Sequence, residues 1–400
     1  MNLKQLFDQV DVERLYQHVL NLEGERHPLS APENLKAAAD YIFAELERYG
    51  VSVRRQTFQV KGFAEPFDNV EGWIGDEDAP AAAIMNHFDT VENTTGANDN
   101  AAAVAVTLEC ARILAGYKDA LPVRFLSFNL EEGNPAIESR IHKSLHNLGL
   151  MDAERRYTSY RVSKLLEKHS ELESAAFDLG RAGKTYSEAI AEATAQLEDQ
   201  MPGALVEHLK ELEAIYQGMT AFPGQAIHLG AWAWVDEARK LGKKLTFGIC
   251  LDEIGRVHLQ EGCQSLPEQL TWEMLQTYKV DTERRVGDWA FIITDGAAAK
   301  LGGAFCGNCE RTDIDLPYSY FHIPMDYEQI TKELPQSLGS DFSAFWGAGI
   351  PALFLFDSAN WRQPYRGHTM ADTIDRLDFD QIAKICRVCL ATLVDPTLRD

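Results

Sequence analysis

Long hydrophobic runs and an excess of positive charge are both missing from this sequence. No stretch approaches the roughly 18 apolar residues of a membrane-spanning helix, so we expect no membrane partner. Lys and Arg number 38 against 61 Asp and Glu, which gives a formal net charge of −23. Because nucleic acid and anionic membrane surfaces repel an acidic protein, we expect neither as a partner. The acidic residues are spread along the chain, which is typical of a well-solvated surface.

An export signal is also missing. The first residues, MNLKQLFDQVDVERLYQHV, carry charges throughout and contain no apolar core of the kind found in signal peptides. The seven cysteines are an odd number, which favours a reducing compartment over a disulfide framework. The sequence therefore predicts a cytoplasmic protein.

Four of the cysteines form two Cys-x-x-Cys pairs, Cys306/Cys309 and Cys386/Cys389. Together the pairs have the residue types of a four-cysteine zinc site. The second pair, however, lies in the apolar run IAKICRVCLATLV at the spacing of a buried helix face. We therefore interpret these cysteines as buried thiols, and keep a zinc or redox role as the less favoured alternative.

The hydrophobic pattern predicts a mixed α/β fold. At 400 residues the chain is longer than one hydrophobic core usually serves. Period-two or continuous apolar stretches predict strands, and three-to-four spacing predicts helices. The predicted strands are 51–60, 69–74, 81–86, 123–130, 245–251, 288–294 and one within 340–358. The main predicted helices are 3–20, 35–49, 101–117, 226–243, 296–305 and 378–394.

Residues 135–226 differ from both flanks because they combine helical spacing with dense mixed charge and almost no strand pattern. We interpret them as an inserted all-α subdomain that serves as a lid or in oligomerisation. The catalytic domain is then formed by residues 1–134 and 227–400. Its predicted architecture is a mixed, mostly parallel central sheet flanked by helices.

Candidate metal ligands cluster in the first half of the chain. His87 and Asp89 follow one predicted buried strand, Glu131 and Glu132 follow another, and Asp99 lies in a glycine-led turn. The carboxyl ends of parallel strands meet at one edge of a sheet, where ligands of α/β proteins bind. Imidazole and carboxylate are suitable ligands for zinc and other divalent metals. The sequence therefore predicts a di-metal site at this edge.

Each of these side chains suits one part of a di-metal hydrolase, which needs a bridging carboxylate, terminal ligands and a free base. Asp99 in its tight turn is the best candidate for the bridge. His87 offers its imidazole to one metal, and Asp89 can accept the other ring N–H and fix the tautomer of His87. Of the adjacent Glu131 and Glu132, one can bind metal while the other faces the reacting water.

Six sequence strings carry a resemblance to a known family. The strings are NHFDT (86–90), GANDN (96–100), NLEEG (129–133), CLDEIG (250–255), GSDFSAFWGAGIPA (339–352) and HTMADTIDRLD (368–378). With these strings in this order, the chain resembles the di-zinc aminopeptidases of metallopeptidase family 28, which include bacterial leucyl aminopeptidases and, more distantly, glutaminyl cyclases. The resemblance covers residues 1–133 and about 226–400.

The resemblance implies a complete ligand set for two divalent ions, most favourably zinc. His87 and Asp252 would bind one ion, Glu132 and His368 would bind the other, and Asp99 would bridge them. Carboxylate-rich sites also accept manganese or cobalt, so the native metal stays open.

The resemblance also implies the catalytic roles. Glu131 would be the general base, taking a proton from the metal-bridging water and passing it to the leaving amine. Asp89 would support catalysis through His87. Asp341 and Asp372 match positions near the family's site and are expected to act from behind the ligands. The family further implies a cis peptide bond between Asp99 and Asn100.

Two departures from the family bear on substrate. The family often has Tyr directly before the last ligand, where this chain has Gly367, with Tyr365 the nearest tyrosine. The segment 135–226 begins soon after Glu132 and is expected to lie over the mouth of the site.

The implied function is removal of N-terminal residues from short peptides, with the inserted helices limiting substrate size. One alternative is a metal-dependent amidohydrolase of a small N-acyl or amide compound, with glutaminyl cyclisation a weaker variant. Another is a non-catalytic assembly protein with a structural metal site. The intact Glu131 argues against the last, because a structural site needs no free base. A homo-oligomer formed through the inserted helices is also kept open.

Overall fold

The computed structural model describes residues 2–117, 121–179, 185–217, 219, 224–267 and 270–399. Its strands are β1 (Ser52–Phe58), β2 (Phe67–Ile74), β3 (Ala81–His87), β4 (Val123–Phe128), β5 (Leu245–Leu251), β6 (Gln276–Tyr278), β7 (Ala290–Thr294), β8 (Tyr318–His322) and β9 (Ala352–Phe356). Its α-helices are α1 (Leu3–Phe7), α2 (Val12–Leu22), α3 (Pro32–Arg48), α4 (Ala102–Leu114), α5 (Pro135–Asn147), α6 (Tyr160–Leu179), α7 (Tyr186–Leu197), α8 (Gly203–Tyr216), α9 (Leu229–Leu241), α10 (Ala299–Cys309), α11 (Tyr327–Glu333), α12 (Phe342–Gly347) and α13 (Phe379–Leu393).

The described strands form one sheet in the order β1-β2-β4-β3-β5-β9-β7-β8-β6. The four central strands β4, β3, β5 and β9 pair in parallel, and so do β7 and β8. The other four pairings are antiparallel and lie toward the two edges. The mixed α/β fold class is confirmed, and the parallel pairing is concentrated at the centre of the sheet.

The central strands are buried on both faces, as parallel strands require. Every residue of β3 and β4 is buried. Helices α4 and α13 contribute to the core on one face, and α9 and α12 to the core on the other. On the second face, the rings of Trp234 and Phe345 stack with their centroids 5.7 Å apart. The central sheet is therefore packed on both faces, and the candidate ligands lie at its carboxyl edge.

The predicted helix 3–20 is wrong as a single element. It is divided into α1 and α2, and the Asp11 side chain caps α2 by accepting from the N–H of Glu13. The pattern also did not predict β6, β8 or α11. These are short elements in which helix and strand periods are difficult to distinguish.

Helices α5 to α8 lie between β4 and α9 in the chain. Residues from α5, α6 and α8 share a small apolar cluster that includes Leu145, Val162, Leu205 and Leu209. This cluster is separate from the two cores that cover the sheet. The division of the chain at 134/135 and 226/227 stays a prediction.

The helical segment leaves the sheet and returns to it at the same place. The side-chain amide of Asn134 donates to the carbonyl of Gln225, with an N···O distance of 2.7 Å. The backbone N–H groups of residues 228, 229 and 230 donate to the carbonyls of 131, 130 and 129, at 2.8, 2.8 and 3.1 Å. Hydrogen bonds therefore join the two ends of the helical segment beside Glu131.

All seven cysteines are buried free thiols. Cys110 and Cys386 approach each other across α4 and α13, with 3.8 Å between their sulfur atoms. Among the described residues, no helix combines the length and the apolar character needed to cross a membrane.

Candidate metal centre

The predicted ligands converge at the carboxyl edge of the central strands. His87 is the last residue of β3, and Asp252 directly follows β5. Glu132 follows β4, Asp99 precedes α4, and His368 lies in the loop before α13. The peptide bond between Asp99 and the next residue is cis, as the resemblance implied.

The carboxylate of Asp99 lies between two donor pairs. Its Oδ1 is 3.4 Å from His87 Nε2, and its Oδ2 is 2.9 Å from His368 Nε2. His87 Nε2 is in turn 3.3 Å from Asp252 Oδ1, and His368 Nε2 is 3.4 Å from Glu132 Oε2. Ligand atoms about 2.0–2.2 Å from one zinc ion are separated by distances of this size. The donor set therefore fits two ions that share Asp99.

The buried charge of this region also fits bound cations. Burial raises the pKa of Glu132 well above its usual range, and the Asp99 charge raises it further. Glu132 Oε1 and both carboxylate oxygens of Asp341 are buried without a hydrogen-bond partner in the described structure. Uncompensated buried carboxylates are unfavourable unless a cation or proton neutralises them.

Neighbouring carboxylates raise the pKa values of both histidines. Burial lowers the pKa of His87, but the charges of Glu131 and Asp252 outweigh this effect and raise it well above its usual range. Burial likewise lowers the pKa of His368, yet the hydrogen bond and charge of Asp99 raise it to about 9. Without metal, each imidazole thus takes a proton as its counter-charge, and a divalent cation can replace that proton.

Asp89 accepts hydrogen bonds that position neighbouring residues of the site. Its two carboxylate oxygens accept the backbone N–H groups of Glu131 and Glu132, at 3.0 and 3.1 Å. His87 Nδ1 is 3.5 Å from Asp89 Oδ1 and 3.3 Å from the Asp89 carbonyl oxygen. Asp89 therefore lies behind His87 and the glutamate pair.

Asp372 has a similar place behind Asp99. Its carboxylate accepts the backbone N–H groups of Asn98 and Asp99, with N···O distances from 3.0 to 3.1 Å. These bonds fix the turn that presents the shared carboxylate. Asp341 is fully buried, and its charge contributes to the raised pKa of Glu131 after the larger effects of burial, Glu132 and Asp252.

The sequence reasoning missed Arg26. This buried guanidinium donates to the carbonyls of Phe88 and Gly96, at 2.7 and 2.9 Å, and so joins the ends of the loop between β3 and Asp99. Gly96 has φ of 61°, and a Cβ there would lie 2.7 Å from the Arg26 Nη2. A single arginine in a polar loop gives no sequence signal of this role.

His228 was also missed. Its Nε2 is 3.2 Å from Glu131 Oε1, and its Nδ1 is 2.9 Å from Ser343 Oγ. The residue lies just after the inserted segment, distant in sequence from both partners, so no local motif indicates it.

Two pockets flank the centre. An apolar pocket of about 270 Å³ borders Asp252 and is lined by residues that include Leu270, Ile293, Phe321, Leu334, Phe354 and Phe356. A more polar pocket of about 200 Å³ borders Asp89 and Glu132. Its walls include His27 and Pro28 of the α/β part and Glu138 and His142 of α5.

The departure at Gly367 has a structural reason. A Cβ on this residue would overlap the Tyr365 hydroxyl and lie 2.6 Å from Glu253 Oε1. The ring centroid of Tyr365 is 6.2 Å from that of His368. Tyr365 thus places its hydroxyl in the space beside residue 367, next to the last predicted ligand.

Ion-pair contacts join the inserted helical segment to the α/β part near the second pocket. Arg155 Nη1 is 3.0 Å from Glu92 Oε1, and His27 Nε2 is 2.9 Å from Glu138 Oε2. The segment therefore forms one side of the site.

Residues 69–177 match the family model described as Peptidase family M28. The likeness to this family is therefore shown for this part of the chain. The matched range contains His87, Asp99, Glu131 and Glu132. It continues into α6, so its end does not mark the predicted boundary at 134/135.

One curated relative is an uncharacterised Escherichia coli (strain K12) protein, YfbL. This chain is 32% identical to it over 130 residues, which span 30% of the chain and 40% of that relative. The match therefore covers less than half of either protein, and an activity for the whole chain is a proposal.

Solved structures share the fold of this chain. A Legionella pneumophila LapA aminopeptidase has a TM-score of 0.57 at 13% identity, covering 98% of this chain and 73% of that one. A Porphyromonas gingivalis glutaminyl cyclase has a TM-score of 0.55 at 16% identity, covering 96% and 98%. A zinc-dependent exopeptidase from Parabacteroides distasonis has 0.54 at 13%, covering 96% and 98%. At these identities the likeness concerns the fold alone.

Proposed function

We propose that this chain is a co-catalytic di-zinc aminopeptidase that hydrolyses the N-terminal peptide bond of short peptides. The observation that carries the proposal is the position of Asp99, which offers one carboxylate oxygen to each of two donor pairs. Glu131 lies next to these pairs, with its Oε2 4.0 Å from His87 Nε2. A shared carboxylate with a second carboxylate beside it is the arrangement needed for metal-assisted hydrolysis.

His87 and Asp252 would hold one ion, Glu132 and His368 the other, and Asp99 both. When bound, such ions polarise the scissile carbonyl and stabilise the negative charge that develops on its oxygen. Glu131 would take a proton from the attacking water and deliver it to the leaving amine. The backbone bonds to Asp89 keep Glu131 and its neighbour in a fixed orientation.

The apolar pocket beside Asp252 supports a preference for large apolar N-terminal side chains. Its lining side chains other than Asp252 and Glu253 are mostly aliphatic or aromatic, and they include Phe321, Phe354 and Phe356. Burying an apolar side chain there would contribute about 25 cal/mol for each Å² removed from water. The wall formed by α5 on the other side would limit the length of the peptide that leaves.

The decisive experiment combines metal analysis with a substrate panel. We expect about two zinc ions per chain and release of free amine from leucyl and phenylalanyl amides and from dipeptides. The matched N-acetyl amides are expected to be inert. If the unmodified protein cleaved only the N-acylated compounds, the amidohydrolase function would be favoured over the aminopeptidase function. No hydrolysis of any compound by the zinc-loaded protein would reject both.

The amidohydrolase alternative has one specific observation in its favour. Gly367 stands where the family often has tyrosine, and Tyr365 occupies the adjoining space from another position. Contacts to a substrate near His368 would therefore differ from those in the family. Glutaminyl cyclisation would be favoured by one zinc per chain and by turnover of N-terminal glutamine without water uptake. A cytoplasmic location and a homo-oligomer stay predictions.

A further inference from the structure

We infer that His228 is a positioning residue that orients the carboxylate of Glu131 for proton transfer. The inference rests on the proposed function, because it gives Glu131 the role of base. His228 is the first residue after the inserted segment that bonds to the polypeptide next to β4. It belongs to neither donor pair.

The imidazole of His228 is held at both ring nitrogens. Its Nε2 is 3.2 Å from Glu131 Oε1, and its Nδ1 is 2.9 Å from Ser343 Oγ. Only 1% of the residue is exposed, so water does not compete for these contacts. Ser343 lies on α12, which packs against the sheet through the second core. Through Ser343, the histidine that contacts Glu131 is therefore connected to a helix that packs against the sheet.

His228 also holds the main chain of the same glutamate. Its backbone N–H donates to the Glu131 carbonyl oxygen at 2.8 Å. The residue has φ of 57°, which is uncommon for a side chain larger than glycine and is maintained here by the surrounding bonds. One residue thus fixes both the peptide and the carboxylate of Glu131.

The ring can make the Glu131 contact as a neutral donor. Burial and, to a smaller extent, the charge of His87 lower the pKa of His228 to about 3. A neutral imidazole has one N–H, and a carboxylate can accept it. The proton therefore belongs on Nε2, while Nδ1 accepts from the Ser343 hydroxyl. This pairing engages Oε1 and leaves Oε2 directed toward His87 and the metal centre.

The orienting role is tested by substitution with a length-matched donor. His228→Gln retains an N–H near the position of Nε2, whereas His228→Ala removes it. We expect His228→Ala to lower kcat on leucyl amide by about 10- to 100-fold, because loss of orientation alone has effects of this size. KM and zinc content should stay within about 2-fold of the parent, and His228→Gln should recover most of kcat.

A second buried histidine provides the matched control. His208 is 2% exposed, and its Nδ1 is 3.0 Å from Ser144 Oγ within the inserted helices. It repeats the histidine–serine contact of His228 but lies in a different cluster. His208→Ala and His208→Gln are expected to retain parental kcat. Circular dichroism and melting of each variant identify losses that come from unfolding.

Nitrogen-15 NMR of histidine-labelled protein gives a readout that does not need turnover. We expect a neutral Nε2–H signal for His228 at pH 7 in the zinc-loaded protein, assigned by its loss in His228→Gln. A Nδ1–H tautomer would overturn the inference, as would parental kcat in a folded His228→Ala protein. A zinc content that falls in proportion to kcat would overturn it too, by showing a role in metal retention. If the parent hydrolyses nothing, the proposed function fails as well.

Discussion

At the residue scale, the site depends on how each side chain is supported. The turn that presents Asp99 is held by the backbone N–H groups of Asn98 and Asp99, which donate to Asp372. Glu131 is held by contacts to Asp89 and His228. Supporting groups of this kind fix the orientation of ligands and bases. The residues that face the reaction and those that support them are therefore expected to respond differently to substitution.

Asp99→Asn is expected to remove most bound zinc. The substitution replaces a charged bridging carboxylate by a neutral amide, so both donor pairs lose their shared ligand. Zinc content measured by mass spectrometry after dialysis should fall from about two ions to fewer than one, and activity should fall with it. Asp295→Asn is the matched control, because Asp295 is also buried but caps a short helix by accepting from Ala298 N–H. Full zinc occupancy in the Asp99 variant would contradict a bridging role.

Glu131→Gln is expected to separate chemistry from metal binding. The amide cannot accept the proton, so kcat should fall by about 10²- to 10⁴-fold. Glu131 is not part of the pairs that share Asp99, so two zinc ions should remain bound. Steady-state kinetics and metal analysis of the same sample measure both quantities. Glu109→Gln changes a buried glutamate bonded to Arg112 and is expected to retain activity.

The sequence predicted candidate ligands at one sheet edge, with Asp89, Asp341 and Asp372 behind them, but it did not predict the contacts of His228 and Arg26. His87, Asp252 and Glu132 follow apolar strands, so their common edge can be inferred from local pattern and strand polarity. His228 reaches Glu131 only because the chain returns across residues 129–131 after the inserted helices. Arg26 likewise acts on carbonyl groups far along the chain. Such contacts depend on tertiary approach, which periodicity does not encode.

At the scale of elements, the ends of β7, β8 and β9 supply walls of the apolar pocket through Ile293, Phe321 and Phe356. The sequence did not predict β8. It therefore could not predict this pocket or the kind of substrate side chain that the pocket would accept. Short strands with mixed aromatic and polar residues lack a clear period. Under the proposed function, strands of this part of the sheet would contribute to specificity, while β3, β4 and β5 carry candidate ligands.

Gly339→Leu is expected to reduce the apolar pocket. Gly339 lines this pocket, and a Cβ there would meet only the Gln336 carbonyl oxygen, at 3.9 Å. The backbone thus accepts a side chain, and the added bulk should lower kcat/KM for phenylalanyl amide by about 10- to 100-fold relative to alanyl amide. Gly303→Leu on α10 is the control, since a Cβ there meets nothing within 4 Å. An unchanged ratio of the two substrates would argue that the pocket binds another group.

Acid is expected to destabilise the inserted helices through His208. Burial lowers the pKa of this residue to about 4, and the charge of His169 contributes. The unfolded chain, with a histidine pKa near 6.5, therefore takes up a proton between about pH 6.5 and 4 that the folded chain does not. Stability consequently falls as pH falls through this range, by up to about 1.4 kcal/mol per pH unit.

Urea unfolding at pH 7 and pH 5 measures this effect. The parent should lose more stability between the two pH values than His208→Gln, which lacks the titrating ring. Equal losses in parent and variant would assign the acid sensitivity to other groups.

At the scale of the whole molecule, the α/β fold class was predictable because strands and helices alternate in the flanks of the insertion. The strand order was not, because β9 inserts between β5 and β7 and the edges pair antiparallel. Pairing between distant strands is decided by packing of both faces rather than by any one segment. The predicted roles of the insertion likewise need tests on the complete protein.

Replacing residues 135–224 by a short Gly-Ser linker is expected to leave a folded, zinc-binding protein. Asn134 and Gln225 are in hydrogen-bond contact, so a linker of a few residues can join them while His228 stays. Loss of the α5 wall should extend cleavage from dipeptides to longer peptides. Peptide-ladder mass spectrometry would detect the change, and light scattering would show whether self-association is lost. Unchanged length selectivity would argue against a size-limiting role.

The paired ends at Asn134 and Gln225 make this position a natural insertion point for protein engineering. A receptor domain whose own termini lie close together could be placed there without displacing the sheet. Because the returning chain bonds to residues 129–131, ligand-induced motion of such a domain would reach Glu131 within a few bonds. The same junction that carries the helices could thus convert an enzyme of this fold into a switchable biosensor.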